Sequence, residues 1–275
     1  MSDQTSFAYG LYYGSALLLM GVGLCFAVVM PGVDRWSKRF FAVFFSLLFL
    51  VCCLSLSEML FYGVPGMDRL SVIANFGMSL FSVIPLPMMT LFMLHCSGES
   101  WQKSALFHMV LTQFVIYTIL LIINQFTSAF FYVTPDNLFH FGAWYPLLIV
   151  PTFVIEVLNL AGLVRRRRML TKKQFAAILI SLLPLTVALA VHIFVASFPF
   201  IVTGIAISAL SMYGIVLSDE IERQQRQQQE IARQSAGIMA LKMRPHFIHN
   251  TLMSIYYLCQ QDPAEAQRVT LDFNN

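Results

Sequence analysis

Apolar residues run almost unbroken through the first 217 positions, interrupted only by short polar breaks. A helix needs about 20 consecutive apolar residues to cross a bilayer. Seven stretches meet that length, near 8–30, 40–62, 70–94, 104–123, 144–164, 174–196 and 199–217. The pattern predicts an all-α membrane protein with a seven-transmembrane helix bundle over residues 1–217. The last two stretches are joined by Ser197-Phe198-Pro199, which predicts a tight helical hairpin. Pro85 and Pro87 in the third stretch, Pro151 in the fifth and Pro184 in the sixth predict kinks, because proline removes a backbone donor and crowds the preceding turn.

At Ser218 the pattern changes. Residues 218–241 are charged and glutamine-rich. Asp219–Arg223 and Glu222–Arg226 are acid-to-base pairs four apart, in the order that supports a helix. This stretch reads as a cytoplasmic linker helix continuing the seventh span. A heptad runs through Leu217, Ile221, Gln224, Gln228, Ile231, Ser235 and Ile238, but polar residues interrupt its seam. It predicts either a solvated connecting helix or a weak coiled coil whose population the bundle can shift. Residues 242–275 form a third segment. Pro245 predicts a kink immediately before His246. Phe247, Leu252, Ile255 and Leu258 or Cys259 make an apolar stripe at helical spacing. Asp262-Pro263-Ala264-Glu265 combines a capping aspartate, a proline at the first helical position and an acid three residues after the cap, so a second helix begins there.

Composition sharpens the membrane reading. With 58% hydrophobic and 11% charged residues, an ordinary soluble domain is excluded. The first apolar run is too long for a cleavable signal and lacks a small-residue cleavage site, so it is expected to stay as a span. The net charge of +3 is mild, and no nucleic-acid partner is expected. Lys and Arg in short loops set orientation. Arg35, Lys38 and Arg39 follow the first span, Lys103 the third, and Arg165, Arg166, Arg167, Arg168, Lys172 and Lys173 the fifth. The opposite side carries Arg69 alone. The expected topology is a multi-pass protein of the cell inner (plasma) membrane, N-terminus outside and C-terminus cytoplasmic. The Arg165–Arg168 cluster reads as a topology determinant, with anionic membrane lipid as its second possible role. The five cysteines, Cys25, Cys52, Cys53, Cys96 and Cys259, are scattered and form no disulfide framework.

Polar residues inside spans are costly in lipid and tend to face the bundle interior. Glu156 and Asn159 lie near the middle of the fifth span, three apart and so on one helix face. Asn75 lies in the third span, His192 in the sixth and Glu58 near the outer end of the second. They form either a structural polar network or a site for a small or apolar ligand. Glu156 is the strongest single candidate, because a carboxylate in lipid needs a partner or a proton. No Lys or Arg occupies a span centre, so that partner is expected to be a histidine, an amide, water or a ligand. The longest outer loop, 124–143, carries Phe126, Phe130, Phe131, Tyr132, Phe139, His140 and Phe141, followed by Trp144 and Tyr145. These residues read as an interfacial aromatic belt, or as a rim over an apolar ligand site that includes Trp144. No metal site is expected.

The run from Leu241 to Leu252 contains Pro245-His246-Phe247, a pair Ile248-His249, then Asn250-Thr251-Leu252. It resembles the histidine box of the LytS-like sensor histidine kinases. The resemblance covers about 238–275. It implies that His246 is the phosphoacceptor, that residues 242–275 are part of a dimerisation and phosphotransfer hairpin, and that the protein is a homodimer serving a cytoplasmic response regulator. A neutral imidazole is a competent nucleophile near pH 7. Pro245 would set its exposure, and Asn250, one turn on, could fix its tautomer. His249 departs from the family pattern, which commonly has an apolar residue there. The family's ATP-binding domain is also missing: no glycine-rich nucleotide box follows Asn250. The sequence thus reads as the receptor piece of a longer kinase, or as a natural truncation of one. No cofactor is expected in this chain itself, and ATP and Mg²⁺ are expected only for a full-length enzyme. The alternative is a seven-span channel, transporter or non-kinase receptor with an incidental helical tail. The seventh span has no lysine for a retinal Schiff base, and no internal repeat of the transporter kind is visible.

Overall fold

The computed structural model describes residues 3–29, 34–195 and 198–274, with side chains described over 10–29, 34–191, 204–239 and 247–272. The elements are α1 (Asp3–Val29), α2 (Arg35–Phe61), α3 (Asp68–Val83), α4 (Pro85–Cys96), α5 (Ala105–Thr127), β1 (Phe131–Val133), β2 (Phe139–Phe141), α6 (Tyr145–Arg165), α7 (Lys172–Val195), α8 (Phe198–Gln261) and α9 (Pro263–Asn274). The protein is essentially all-α, and among the described residues seven segments are long and apolar enough to cross a membrane, α3 and α4 together making one of them. The chain divides into two compact units, Met1–Glu220 and Ile221–Asn275.

The helix of the seventh span runs on into the linker, as its sequence predicts, for α8 is assigned without interruption from Phe198 to Gln261. The acid–base pairs and glutamines beyond Ser218 favour helix as strongly as the apolar residues before it. The third span is divided at Ile84, which keeps helical dihedrals (φ −55°, ψ −38°). The division reflects the absent N–H groups of Pro85 and Pro87. Pro151 and Pro184 sit inside α6 and α7 without dividing them. Ser197 of the expected tight hairpin lies outside the described residues.

In the first unit, α2 packs against α1 and α3, and α6 against α5 and α7, while α4 meets α5, α6 and α7. The core is aromatic. Phe41, Phe45 and Phe92 are fully buried, and the Tyr213 ring of α8 meets Phe41 and Phe45 edge-on at 5.0 and 5.5 Å. Small residues allow close helix approach, as expected where lipid supplies no hydrophobic drive between helices. A Cβ at Gly23 would lie 2.5 Å from the Phe45 ring, and one at Gly204 would lie 3.0 Å from Ala188 Cβ and 3.1 Å from Pro184 O. Large apolar residues such as Leu18, Ile73, Ile119 and Val187 remain exposed on the unit's outside, which suits a lipid solvent.

One end of the bundle gathers the basic loops. Asp34 caps α2 by accepting from Trp36 N and Ser37 N at 2.9 and 3.0 Å. Partial burial pushes its carboxyl up. The Ser37 and Trp36 hydrogen bonds and the nearby His95 outweigh that and hold it below the usual aspartate value. Trp36 stacks on His95 at 3.6 Å. Arg166, from the basic cluster, grips Glu99 through two parallel bonds, Nε–Oε1 at 2.9 Å and Nη2–Oε2 at 2.8 Å. Lys173 meets Asp219 at 3.9 Å.

Among the ion pairs of the described residues, the Arg166–Glu99 fork is the one that should matter most to stability, because its side chains are only 11% and 31% exposed. Arg166→Ala is expected to cost about 1–2 kcal/mol, between the values typical of surface and buried pairs. Arg166→Lys should recover only part of this, since an ammonium cannot make the planar fork. Thermal unfolding of Arg166→Ala, Glu99→Gln and the double variant would measure the coupling. Strict additivity would show that the fork contributes nothing.

In the second unit, Asp262 Oδ1 accepts from Ala264 N and Glu265 N at 3.1 and 3.2 Å, and so caps α9 as its sequence predicts. Ala266 of α9 is buried, whereas Ile231, Ile238, Phe247, Leu252 and Tyr256 are exposed.

Candidate functional site

The histidine run lies within α8. Helix assignment passes through Pro245 and His246, so the expected kink does not end the helix. The side chains of Pro245 and His246, and with them the expected contact between Asn250 and the imidazole, lie outside the described residues. By backbone register, His246 and Asn250 are four apart and share a helix face. His249 and Asn250 are exposed. Thr251 and Ser254 return their hydroxyls to Phe247 O and Asn250 O, both at 2.9 Å. The described part of the box is thus a regular, solvent-facing helix that also exposes Phe247, Tyr256 and Tyr257.

The intramembrane polar residues separate into distinct groups. Glu156 is fully buried. Its Oε1 accepts from the Thr186 hydroxyl of α7 at 2.9 Å, so the partner is an alcohol, a group the sequence reading did not name. Asn159, on the same side of α6, is tied to α4 instead. Its Oδ1 accepts from the Thr90 hydroxyl at 2.5 Å, and its Nδ2 donates to Leu86 O at 3.1 Å. Asn75 is buried in α3, donates to Ser71 O at 2.9 Å and meets Glu58 of α2. Trp144 is exposed. The side chain of His192 lies outside the described residues.

A cavity of about 120 Å³ lies within the first unit. Its walls include Val51, Met78, Leu86, Leu148, Leu185 and Ile205. Glu156 lines it, as do Thr152 and Tyr117, but Asn159, Asn75 and Trp144 do not. Phe131 and Phe139 line it from the β-hairpin, their rings stacked at 5.6 Å.

That hairpin lies within the loop expected over 124–143. β1 and β2 pair antiparallel, Phe131 opposite Phe141 and Val133 opposite Phe139. Asn137 takes the left-handed backbone of its turn (φ 58°), which asparagine tolerates, and its side chain donates to Phe61 O. Asn124, at the end of α5, fastens the first strand. Its Oδ1 accepts from Phe130 N and Phe131 N at 2.9 and 3.1 Å, and its Nδ2 donates to Phe131 O at 3.0 Å. Sequence reasoning missed Asn124 because it falls just past the predicted end of the fourth span. Thr90 and Thr186 were missed because a threonine in a span satisfies its hydroxyl on its own helix. Both side chains also reach the carbonyl four residues back.

Residues 237–275 match the family model described as histidine kinase, so this segment is a histidine-kinase histidine-box region. No curated protein and no solved structure matches the chain. Among the described residues no group of three or more His, Cys, Asp or Glu could hold a metal ion. No glycine-rich nucleotide loop follows Asn250.

Proposed function

We propose that the chain is the membrane receptor portion of a bacterial two-component sensor histidine kinase of the LytS-like type, with His246 as its phosphoacceptor. The observation that carries this reading is the histidine-kinase match over 237–275 on the helix that also supplies the seventh apolar span. Pro245-His246-Phe247 followed by Asn250-Thr251-Leu252 supports the subtype. The concentration of Lys and Arg in alternate loops supports a cytoplasmic histidine end. Exposed Ile238, Phe247, Leu252 and Tyr256 support pairing of two copies through this segment. In this reading residues 1–217 sense, 218–241 link, and 242–275 dimerise and accept phosphate. Basic loop residues such as Arg165 and Arg168 meet anionic lipid headgroups. A separate ATP-binding domain brings ATP, a ring nitrogen of the His246 imidazole bonds to the γ-phosphorus as ADP leaves, and a response-regulator aspartate then takes the phosphoryl group and frees the imidazole.

The test is phosphoryl labelling. Membranes containing the chain are supplied with a histidine-kinase ATP-binding domain, fused or added, and with γ-labelled ATP and Mg²⁺. The expected product is an acid-labile, alkali-stable label on the chain that a response regulator removes. Ion or solute flux in vesicles with no label on the chain would overturn the reading in favour of transport.

A further inference from the structure

We propose that the bundle cavity is a binding site for a small, neutral, mainly apolar molecule, about the size of one six-membered ring, that donates an O–H or N–H hydrogen bond to Glu156 Oε2. The proposal rests on reading the bundle as a receptor and gives that receptor a ligand class.

The acceptor is left open by the fold. Glu156 is fully buried, yet its Oε2 has no hydrogen-bond partner. Its other oxygen is only partly served. Thr186 has one hydroxyl proton, and Leu182 O competes for it at the same 2.9 Å as Glu156 Oε1. A buried polar atom without a partner is unfavourable and rare, and an occupant that supplies a donor removes the penalty. Three other hydroxyls at the cavity are already engaged. Tyr117 donates to Ser79 O at 2.9 Å, Ser82 to Ser79 O at 3.0 Å and Thr152 to Ile149 O at 2.6 Å. The other buried oxygens without partners, such as Ser208 Oγ and Tyr213 Oη, do not line this cavity. Among the described residues, the buried lining oxygen without a partner is Glu156 Oε2, so the space asks for a donor there.

Size and lining set the rest of the ligand. An engineered apolar cavity of about 150 Å³ holds benzene, and this one is about 120 Å³. Its walls are leucine, isoleucine, valine and methionine, and stacked Phe131 and Phe139 add a further apolar surface. A carboxylate-bearing ligand would have to shed its water among apolar walls beside a second carboxyl group, which is costly. An ammonium would have to shed its water among apolar walls. A neutral phenol, cyclic alcohol or N–H heterocycle satisfies both the lone oxygen and the walls, and it can enter from lipid.

The experiment uses the purified chain in lipid nanodiscs, with empty nanodiscs as the partition control. Labelled phenol, benzene, benzylamine and benzoate are the probes. Phenol is expected to bind saturably, one per chain, and more tightly than the other three. Glu156→Leu should weaken phenol by about tenfold or more while leaving benzene unchanged, since it removes the acceptor and keeps the volume. Leu185→Trp should abolish phenol binding by filling the cavity with Glu156 intact, so the proposal stays testable if Glu156→Leu fails to fold. Equal binding of phenol and benzene, preference for benzylamine, or phenol binding unaltered by either variant would overturn it. The readout needs no phosphorylation. Binding without labelling at His246 would leave the site and remove the kinase reading, and labelling without binding would do the reverse.

Discussion

Replacing His246 by glutamine is expected to abolish phosphoryl labelling of the chain, while glutamine at His249 leaves most of it. Glutamine keeps the helix and much of the polar surface but has no nitrogen lone pair able to attack a phosphoryl group. The loss should therefore be complete rather than graded. Two histidines stand three residues apart on one continuous helix, so helical placement does not by itself choose between them. The choice comes from sequence context. His246 follows Pro245 and stands four residues before the amide of Asn250. His249 follows Ile248 and stands four residues before the thioether of Met253, which cannot orient an imidazole in the same way. Asn250→Ala should slow labelling without abolishing it, because it acts on the ring's orientation and not on the bond formed. Acid-labile label measured on all three variants, with the same ATP-binding domain and the same membranes, decides the assignment. Label surviving in His246→Gln but lost in His249→Gln would move the acceptor to His249.

The second large effect is expected at Gly142. A Cβ there would overlap Ala129 O, and it would lie 2.7 Å from Ala129 C and 3.0 Å from Phe130 C. These are backbone atoms, so no rotamer change relieves the clash. The strand ends must part, breaking the 2.7 Å bond from Gly142 N to Phe130 O. Asn124 holds the same residues from the other side through Phe130 N and Phe131 N. Gly142→Ala should therefore loosen the hairpin and withdraw Phe131 and Phe139 from the cavity. Overpacking typically costs about 1–3 kcal/mol, and a contact to unyielding backbone belongs at the upper end. Gly14→Ala, which meets nothing within 4 Å, is the control and should be neutral or better. Thermal unfolding in detergent, with protease cleavage at residues 128–144, reads both consequences. If Gly142→Ala melted with wild type and its hairpin stayed protected, the close approach would not matter.

Much of what is local in this protein could be read from the chain. The spans follow from the lengths of apolar runs, the basic end from charges next to those runs, and the start of α9 from the cap at Asp262. The histidine box follows from a run of adjacent residues. Each depends on neighbours within a turn or two, which is the range over which a sequence states its own geometry.

What the sequence could not decide was how each helix is rotated about its axis. The spans are apolar on nearly every side, so no polar stripe marks the face turned inward. Glu156 and Asn159 sit three apart and were expected to work together. Packing sends one to Thr186, 30 residues away, and the other to Thr90, 69 residues away. Arg166 finds Glu99 across 67 residues. The aromatic loop became a hairpin because Asn124 and the missing side chain of Gly142 let two backbone segments meet. The sequence by itself determined a seven-span bundle with a histidine-bearing helix. Only the tertiary structure decided that an apolar cavity would form beside a half-satisfied carboxylate, because a void and an unpaired oxygen are properties of several helices packed at once.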